Sequence, residues 1–407
     1  MSIFAKNAKM KNFKREYYLQ KIRPFVNKQL IKVLKVQRRV GKSYILQQIK
    51  NEILTANPTA NIIFINLEKL EFSHIQNFTQ LSEFIESKTK PEHNYLFIDE
   101  IQDIENFEKV LRSLVSEPNF DIYCTGSNAK ILSGELATYL SGRQIEIKIH
   151  PLSYSEFLDF YDKKKNLDTL NSYMRFGGMP YMINLEDIDE VKNEYLQNIF
   201  NTIVFRDVVA RYEIRDVSFL QNLINYVSDN VGSLVSANNI NKFLKSQKIN
   251  KTTQSIINYL EYFENSYSIN KVKRIDLHGK KIFESGEKYY FEDLGIRNSI
   301  VGFNTADIHK IIENIVYNHL IFRGYKVFIG KMNDLEIDFV AEKNGETNYF
   351  QVAYLLKDEL TIDREFGNLL KISDNYPKYV ISFDTFNAPN TYKGIKHFLL
   401  IDFLTEF

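Results

Sequence analysis

Two short stretches, "VQRRVGKSYIL" at residues 36–46 and "YLFIDE" at residues 95–100, hold side chains whose types and order could do chemistry together. In "VGKS" a glycine, a lysine and a hydroxyl stand where a strand would turn into a helix. Backbone N–H groups from Arg39 to Ser43 would then point at an anion, which unpaired amides and the helix dipole both favour. Lys42 would reach the β- and γ-phosphates of a nucleotide, and the Ser43 hydroxyl would sit on Mg²⁺. With Arg38, Val40, Gly41 and Tyr44 these residues make up the expected nucleotide-binding set. Further on, an apolar run ends in Asp99 and Glu100. Asp99 would hold the water shell of the Mg²⁺, and Glu100 would polarise an attacking water. The same side chains also fit an exposed helix lysine and a helix N-cap pair. What favours an ATP site is the order: strand, loop, helix, then a second strand ending in two acids, where a buried strand needs a cation nearby.

One position breaks the pattern. The glycine that opens G-x-x-x-x-G-K-[ST] is Val36 here, at a tight turn where a β-branched side chain and restricted φ are unwelcome. Weak or shifted nucleotide binding is expected, because Lys42 and the amides nearest the β-phosphate are intact.

Positioning these residues requires a sheet. "IKVLKV" (31–36), "NIIFINL" (61–67), "NYLFID" (94–99), "FDIYCTG" (120–126) and "QIEIKI" (144–149) read as strands alternating with helical runs, which predicts a mostly parallel α/β domain over residues 1–150. Residues 151–217 turn helical and are broken by "RFGGMP", a lid or linker. Residues 218–298 hold three helical stretches and a hairpin turning at His278-Gly279, the order of a winged helix-turn-helix. Residues 299–407 hold a helix, a hairpin at Asn344-Gly345, a second helix and a strand.

At 407 residues, two or three domains are expected. The net charge of +1 demands no acidic partner, yet residues 1–42 carry thirteen Lys or Arg against Glu16 alone. Such a segment fits a nucleic-acid or phosphate footprint and equally a solvated helix. Cys124 is the sole cysteine, so no disulfide forms within the chain, and its apolar neighbours predict a buried thiol. No apolar run is long enough to cross a membrane and the basic N-terminus lacks an apolar h-region, so a cytoplasmic protein is expected.

"QRRVGKS", "LFIDEIQ", "TGSNAKILSGELATYLSGR", "IHPLSYSEFL" and "FGGMP" together resemble the bacterial and archaeal AAA+-type ATPases with a C-terminal winged-helix and restriction-endonuclease-like region of unknown function. The resemblance runs from about residue 15 to the end. It implies that Ser127 and Asn128 sense the γ-phosphate, and that Arg143 reaches the γ-phosphate in a neighbouring copy, which would make the protein an oligomer. Ser127 also suits a helix cap, and Arg143 a surface ion pair.

A nuclease of the restriction type needs an acid on one strand, an acid-x-Lys pair on the next and often a helix Glu. Asp338 and Glu313 are in place, but the pair reads Gln351-Val352-Ala353. A neutral amide ligates Mg²⁺ poorly and alanine brings no charge, so the fold should persist without the chemistry. If cleavage survived, Lys331 or Lys357 would have to replace the missing lysine. In the winged helix, "NKTTQSIINYLEYFE" would be the recognition helix, with Lys251, Thr252, Thr253 and Gln254 exposed and Ile256, Leu260 and Phe263 inward. Lys242, Lys245, Lys248, Lys271, Lys273 and Arg274 would face DNA phosphates. The expected function is an ATP-dependent switch whose partner is DNA or a protein. A non-hydrolysing scaffold is the second reading and a DNA nuclease the third.

Overall fold

The computed structural model describes residues 13–35, 37–127, 142–249, 251–279, 282, 286–356, 358–384 and 389–407. Val36, Asn128 and Lys357 therefore lie outside the described residues. The chain forms two compact units, one of residues 1–150 with Asn265–Tyr267, the other of 151–264 with 268–407.

In the first unit the order is α1 (Glu16–Ile22), β1 (Ile31–Lys35), α2 (Lys42–Ala56), β2 (Asn61–Asn66), α3 (Phe78–Lys88), β3 (Asn94–Asp99), α4 (Phe107–Leu114), β4 (Phe120–Gly126) and β5 (Gln144–Lys148). The five strands form one parallel sheet in the order β2-β3-β4-β1-β5. β1, β3 and β4 are buried along their whole length, which is why they read as near-continuous apolar runs. Their carboxyl ends lie side by side, and that edge is where an open parallel sheet binds ligands.

Two of the charges within these strands satisfy each other. Lys32 and Asp121 are fully buried and form an ion pair. The Lys32 ammonium also donates to the Leu30 carbonyl at 2.8 Å and lies 4.7 Å from the centre of the Tyr123 ring. Tyr123 donates to Asp121 at 2.8 Å. Several cations among the described residues of the first 42 are engaged in the same way. Arg23 pairs with Glu16 and Glu52, Lys35 with Glu146 at 2.5 Å and Lys42 with Glu100. Arg15 donates to the carbonyls of Val40 and His150. These contacts give those five cations a structural role. Cys124 is buried, and desolvation pushes its thiol up to about 12.

The second unit begins with α5 (Tyr154–Tyr161), α6 (Leu167–Phe176) and α7 (Asp189–Thr202), the last running on into a π-helical segment, Ile203–Ala210. Then come α8 (Val217–Asp229), α9 (Ala237–Ser246), α10 (Thr253–Asn265), β6 (Ile269–Val272), β7 (Arg274–Asp276), β8 (Lys288–Phe291), α11 (Leu294–Val301) and α12 (Ile308–Phe322). It closes with β9 (Lys326–Met332), β10 (Leu335–Lys343), β11 (Glu346–Ala353), α13 (Glu359–Leu370), β12 (Lys378–Ser382), β13 (Thr391–Tyr392), β14 (Ile395–Leu399) and α14 (Leu400–Glu406). Seven strands form a mixed sheet, β13-β14-β12-β11-β10-β9-β7.

Asn344 and Gly345 carry φ of 52° and 84° and turn β10 into β11 with Lys343 opposite Glu346, a two-residue hairpin of the left-handed type. The run 269–276, read as one arm of a hairpin, divides instead. β6 pairs antiparallel with β8, whereas β7 joins the large sheet parallel to β9. Lys271 is accordingly tied to Glu264 at 3.2 Å, and a Cβ on Gly286 would lie 2.7 Å from the Arg274 guanidinium. Lys271, one of the three cations expected to face DNA from this hairpin, is thus paired with an acid.

"FGGMP" has a packing explanation. Gly177 ends α6 at φ 71°, where a Cβ would lie 2.4 Å from the Asp293 carboxylate. A Cβ on Gly178 would meet the Leu152 carbonyl oxygen at 2.3 Å. Asp293 accepts from the Gly178 N–H at 2.8 Å and caps α11 through Ile296 N–H at 3.0 Å. Burial lifts its carboxyl to about 6 against the pull of those N–H groups. Gly178→Ala should destabilise the chain by roughly 2 kcal/mol or more, since backbone must move to admit the methyl. Thermal unfolding of the variant measures this, and an unchanged midpoint would refute it.

Candidate functional site

The site is assembled at the carboxyl ends of β1, β3 and β4. Gly41, at φ 96°, takes the left-handed conformation just before α2, and a Cβ there would meet nothing within 4 Å. The turn opens the N-terminus of α2 and leaves its first amides without helical partners. Arg39 shares the positive φ at 68° and is exposed, whereas the Val40 side chain is wholly buried. Tyr44 is exposed, one turn into the helix. Arg38 is buried, and its charge stabilises the ionised Glu100. Of the set from Arg38 to Tyr44, Val40 and Tyr44 thus contribute through backbone alone or sit at the rim.

Lys42 and Glu100 meet directly. The ammonium lies 2.6 Å from Glu100 Oε1, with both side chains about 5% exposed. Glu100 adopts a left-handed φ of 61°, which turns its side chain out of the strand direction and toward the loop. Its other oxygen, Oε2, accepts from Gln102 at 2.6 Å and from the Ser127 hydroxyl at 3.3 Å. Burial works against the ionised carboxylate, but the charge and hydrogen bond of Lys42 with those of Gln102 and Arg38 outweigh it and hold Glu100 at about 2.

Asp99 is fully buried beside it. Its Oδ1 accepts from the Thr125 hydroxyl at 2.5 Å, and the same hydroxyl accepts the Glu100 N–H at 3.0 Å. Oδ2 is buried and makes no hydrogen bond of good geometry. Burial raises the proton affinity of Asp99, while Ser43 and Thr125 lower it by hydrogen bonding. The Gln37 amide is also buried with neither its oxygen nor its nitrogen hydrogen-bonded. An open helix N-terminus, a lysine, a hydroxyl beside a carboxylate with an unused oxygen and a buried free amide fit a magnesium nucleotide. Lys42, Ser43, Asp99, Glu100 and Ser127 therefore come together as the sequence suggested. Arg143 does not join them. It stands at the opposite end of the sheet, where its carbonyl accepts the Ile31 N–H and its guanidinium donates to Ser116 at 2.9 Å. Its reach toward a nucleotide is excluded within its own chain.

Sequence reasoning missed Thr125, Gln102 and Gln37. Thr125 is the polar residue in the otherwise apolar end of "FDIYCTG", a signal of the same kind as the acids of "YLFIDE". Among the described residues no helix is long and apolar enough to cross a membrane, and no three His, Cys, Asp or Glu side chains are grouped to hold a metal.

A parallel sheet in this strand order, a glycine-turned helix N-terminus after β1 and paired acids after β3 define a P-loop domain of the AAA+ ATPase type. Residues 28–158 match an AAA domain family, and residues 167–307 a domain of unknown function, DUF8612. An uncharacterised protein of Haemophilus influenzae is 36% identical over 399 residues, covering 96% of this chain and 98% of that one. Protein MJ1544 of Methanocaldococcus jannaschii is 33% identical over 345 residues, 81% of this chain and 75% of its own. The chain belongs to the family of AAA-domain, P-loop ATPase-type proteins that these relatives share. Among solved structures it is similar to the Walker-type ATPase PABY2304 of Pyrococcus abyssi (13% identity, 71% of this chain and 95% of that one, TM-score 0.48). It is also similar to AMPPCP-bound DnaA of Aquifex aeolicus (13% identity, 63% and 90%, TM-score 0.33).

Because Glu100 is held below its usual 4.5, the stability it lends is present at neutral pH and is lost as pH falls from about 4.5 toward about 2. Lys42→Ala removes the main counter-charge, and the Glu100 carboxyl should then titrate at higher pH under the unopposed burial. Carboxyl-carbon NMR titration of parent and variant reads this directly, and identical curves would break the assignment of Lys42 as the cause.

Proposed function

We propose that the chain is an ATP-dependent switch that binds Mg-ATP at residues 38–44, Asp99 and Glu100 and hydrolyses it to ADP and phosphate. The observation that carries this is the Lys42–Glu100 ion pair at the mouth of the α2 N-terminus. A phosphate group offers Lys42 a stronger partner than a carboxylate already satisfied by Gln102 and Ser127. Once released, Glu100 is an ionised base that can take a proton from a water aimed at the terminal phosphate. Mg²⁺ would supply charge neutralisation between the phosphates, held by Ser43 with Asp99 behind it. Ser127 touches Glu100 and is placed to report what that carboxylate does. Val36 at the start of the loop lowers affinity in this reading, and Arg143 serves a neighbouring copy.

Steady-state phosphate release with Mg-ATP tests the reading. Glu100→Gln should cut turnover by roughly 100-fold or more, the scale of losing a general base, while leaving nucleotide binding in place. Absence of turnover in folded parent protein, with nucleotide still bound, would leave the non-hydrolysing scaffold instead.

The partner in this reading is DNA, contacted by the region α8 to β8 acting as a winged helix. Ile256, Leu260 and Phe263 of α10 are buried at 0%, 3% and 0% exposure, so its other face is available. Lys251 pairs with Asp216 at 2.6 Å, which leaves Lys242, Lys245 and Lys248, all exposed, as the better candidates for phosphate contact. Changing Lys242, Lys245 and Lys248 to Glu should weaken duplex binding and lower the slope of log affinity against log salt by roughly 3. A protein partner would leave DNA affinity unmeasurable in both forms.

A further inference from the structure

A second buried charge cluster lies in the other unit, at the residues expected to form a nuclease metal site. Glu313 projects from α12, Glu336 and Asp338 from alternate positions of β10, and Lys288 from the first position of β8. The Lys288 ammonium, on a side chain 4% exposed, lies 2.9 Å from Glu313 Oε1 and 2.8 Å from Glu336 Oε1. Tyr290, two residues along β8, donates to Glu313 Oε1 at 2.6 Å. Asp338 accepts the Val352 N–H at 2.7 Å. Gln351, which follows the Phe350 that pairs with Phe339, is buried, and its Oε1 has no hydrogen-bond partner. Glu365 of α13 adds its charge near Asp338 while bonding to Arg364 at 2.6 Å.

A divalent ion does not fit this arrangement. Mg²⁺ requires oxygens about 2.1 Å and Ca²⁺ about 2.3–2.6 Å from one point, and the point between Glu313 and Glu336 is taken by a nitrogen.

We propose that Lys288 is the resident cation of this carboxylate cluster, its ammonium filling the position a divalent ion would take and excluding one. The consequence is a tethered cation that chelators cannot strip and that cannot act as a Lewis acid on water. It joins β8, α12 and β10 by two ion pairs reaching a single nitrogen. The lysine lies 50 residues before Asp338 on a strand outside the large sheet, and so escapes an acid-x-Lys pattern.

The test is thermal unfolding and Mn²⁺ electron paramagnetic resonance on the nucleotide-free full chain, comparing the parent with Lys288→Met, Lys288→Arg and Glu313→Gln. The parent midpoint should be unmoved by EDTA, and any Mn²⁺ it takes up elsewhere should be unaffected by Glu313→Gln. Lys288→Met keeps the alkyl stem but leaves the carboxylates without a cation, and its midpoint should fall by roughly 5–10 °C. Millimolar Mn²⁺ should recover part of that loss and add one bound ion relative to the parent. Lys288→Arg should keep a cation in place and gain no Mn²⁺ site. Mn²⁺ bound to the parent and lost on Glu313→Gln would overturn the proposal, as would a Lys288→Met chain that is as stable as the parent or gains no Mn²⁺. Should Lys288→Met fail to fold, the parent and Lys288→Arg arms still decide it.

Discussion

Burying a charge costs far more than burying any apolar group repays unless an opposite charge is buried with it, and this constraint shapes both units. Lys32 with Asp121, Lys42 with Glu100, Lys288 with Glu313 and Glu336, and Arg297 with Asp307 each set a cation from one element against an acid from another. The Lys32 pair sits within the apolar strands and only holds them. The Lys42 pair sits at the open carboxyl edge, where a better anion can arrive, so the same physics that stabilises the fold leaves the site poised. Placement, not strength, separates a structural pair from a functional one.

The edge is open because of strand order. With β1 between β4 and β5 and β3 beyond β4, the loop after β1 and the acids after β3 converge across Thr125 of β4. Thr125 holds the two acids with one hydroxyl that donates to Asp99 and accepts from the Glu100 backbone. A threonine suits the position, since its β-branched body packs in a buried strand while its oxygen supplies two hydrogen bonds. The second unit solves a similar problem without an opening. Its acids meet a lysine delivered by a strand outside the large sheet, and Asp293 meets three backbone amides at the close approach of Gly178, Gly295 and Ile296.

The amino-acid sequence by itself determined much of the first unit. The five strands, the helix opened by Gly41 and the identities of Lys42, Ser43, Asp99 and Glu100 follow from apolar runs and from residues whose chemistry has few other uses at those places. The two-residue turn at Asn344-Gly345 was equally legible, because left-handed φ at both positions restricts the residue choice sharply. Such features are local: each depends on a window of a few residues and on hydrogen bonds or sterics within it.

What only the tertiary structure decided is which distant residues share a site. The splitting of residues 269–276 between two sheets depends on an edge offered by β9, more than fifty residues away, and no local pattern in "INKVKRID" records it. Arg143 reads from its motif as reaching the phosphate of a neighbouring copy, and strand direction sets it at the far end of the sheet from its own chain's Lys42. The lysine among Glu313, Glu336 and Asp338 comes from Lys288, because a charge is neutralised by whatever lies nearest in space, and Coulomb attraction takes no account of separation along the chain.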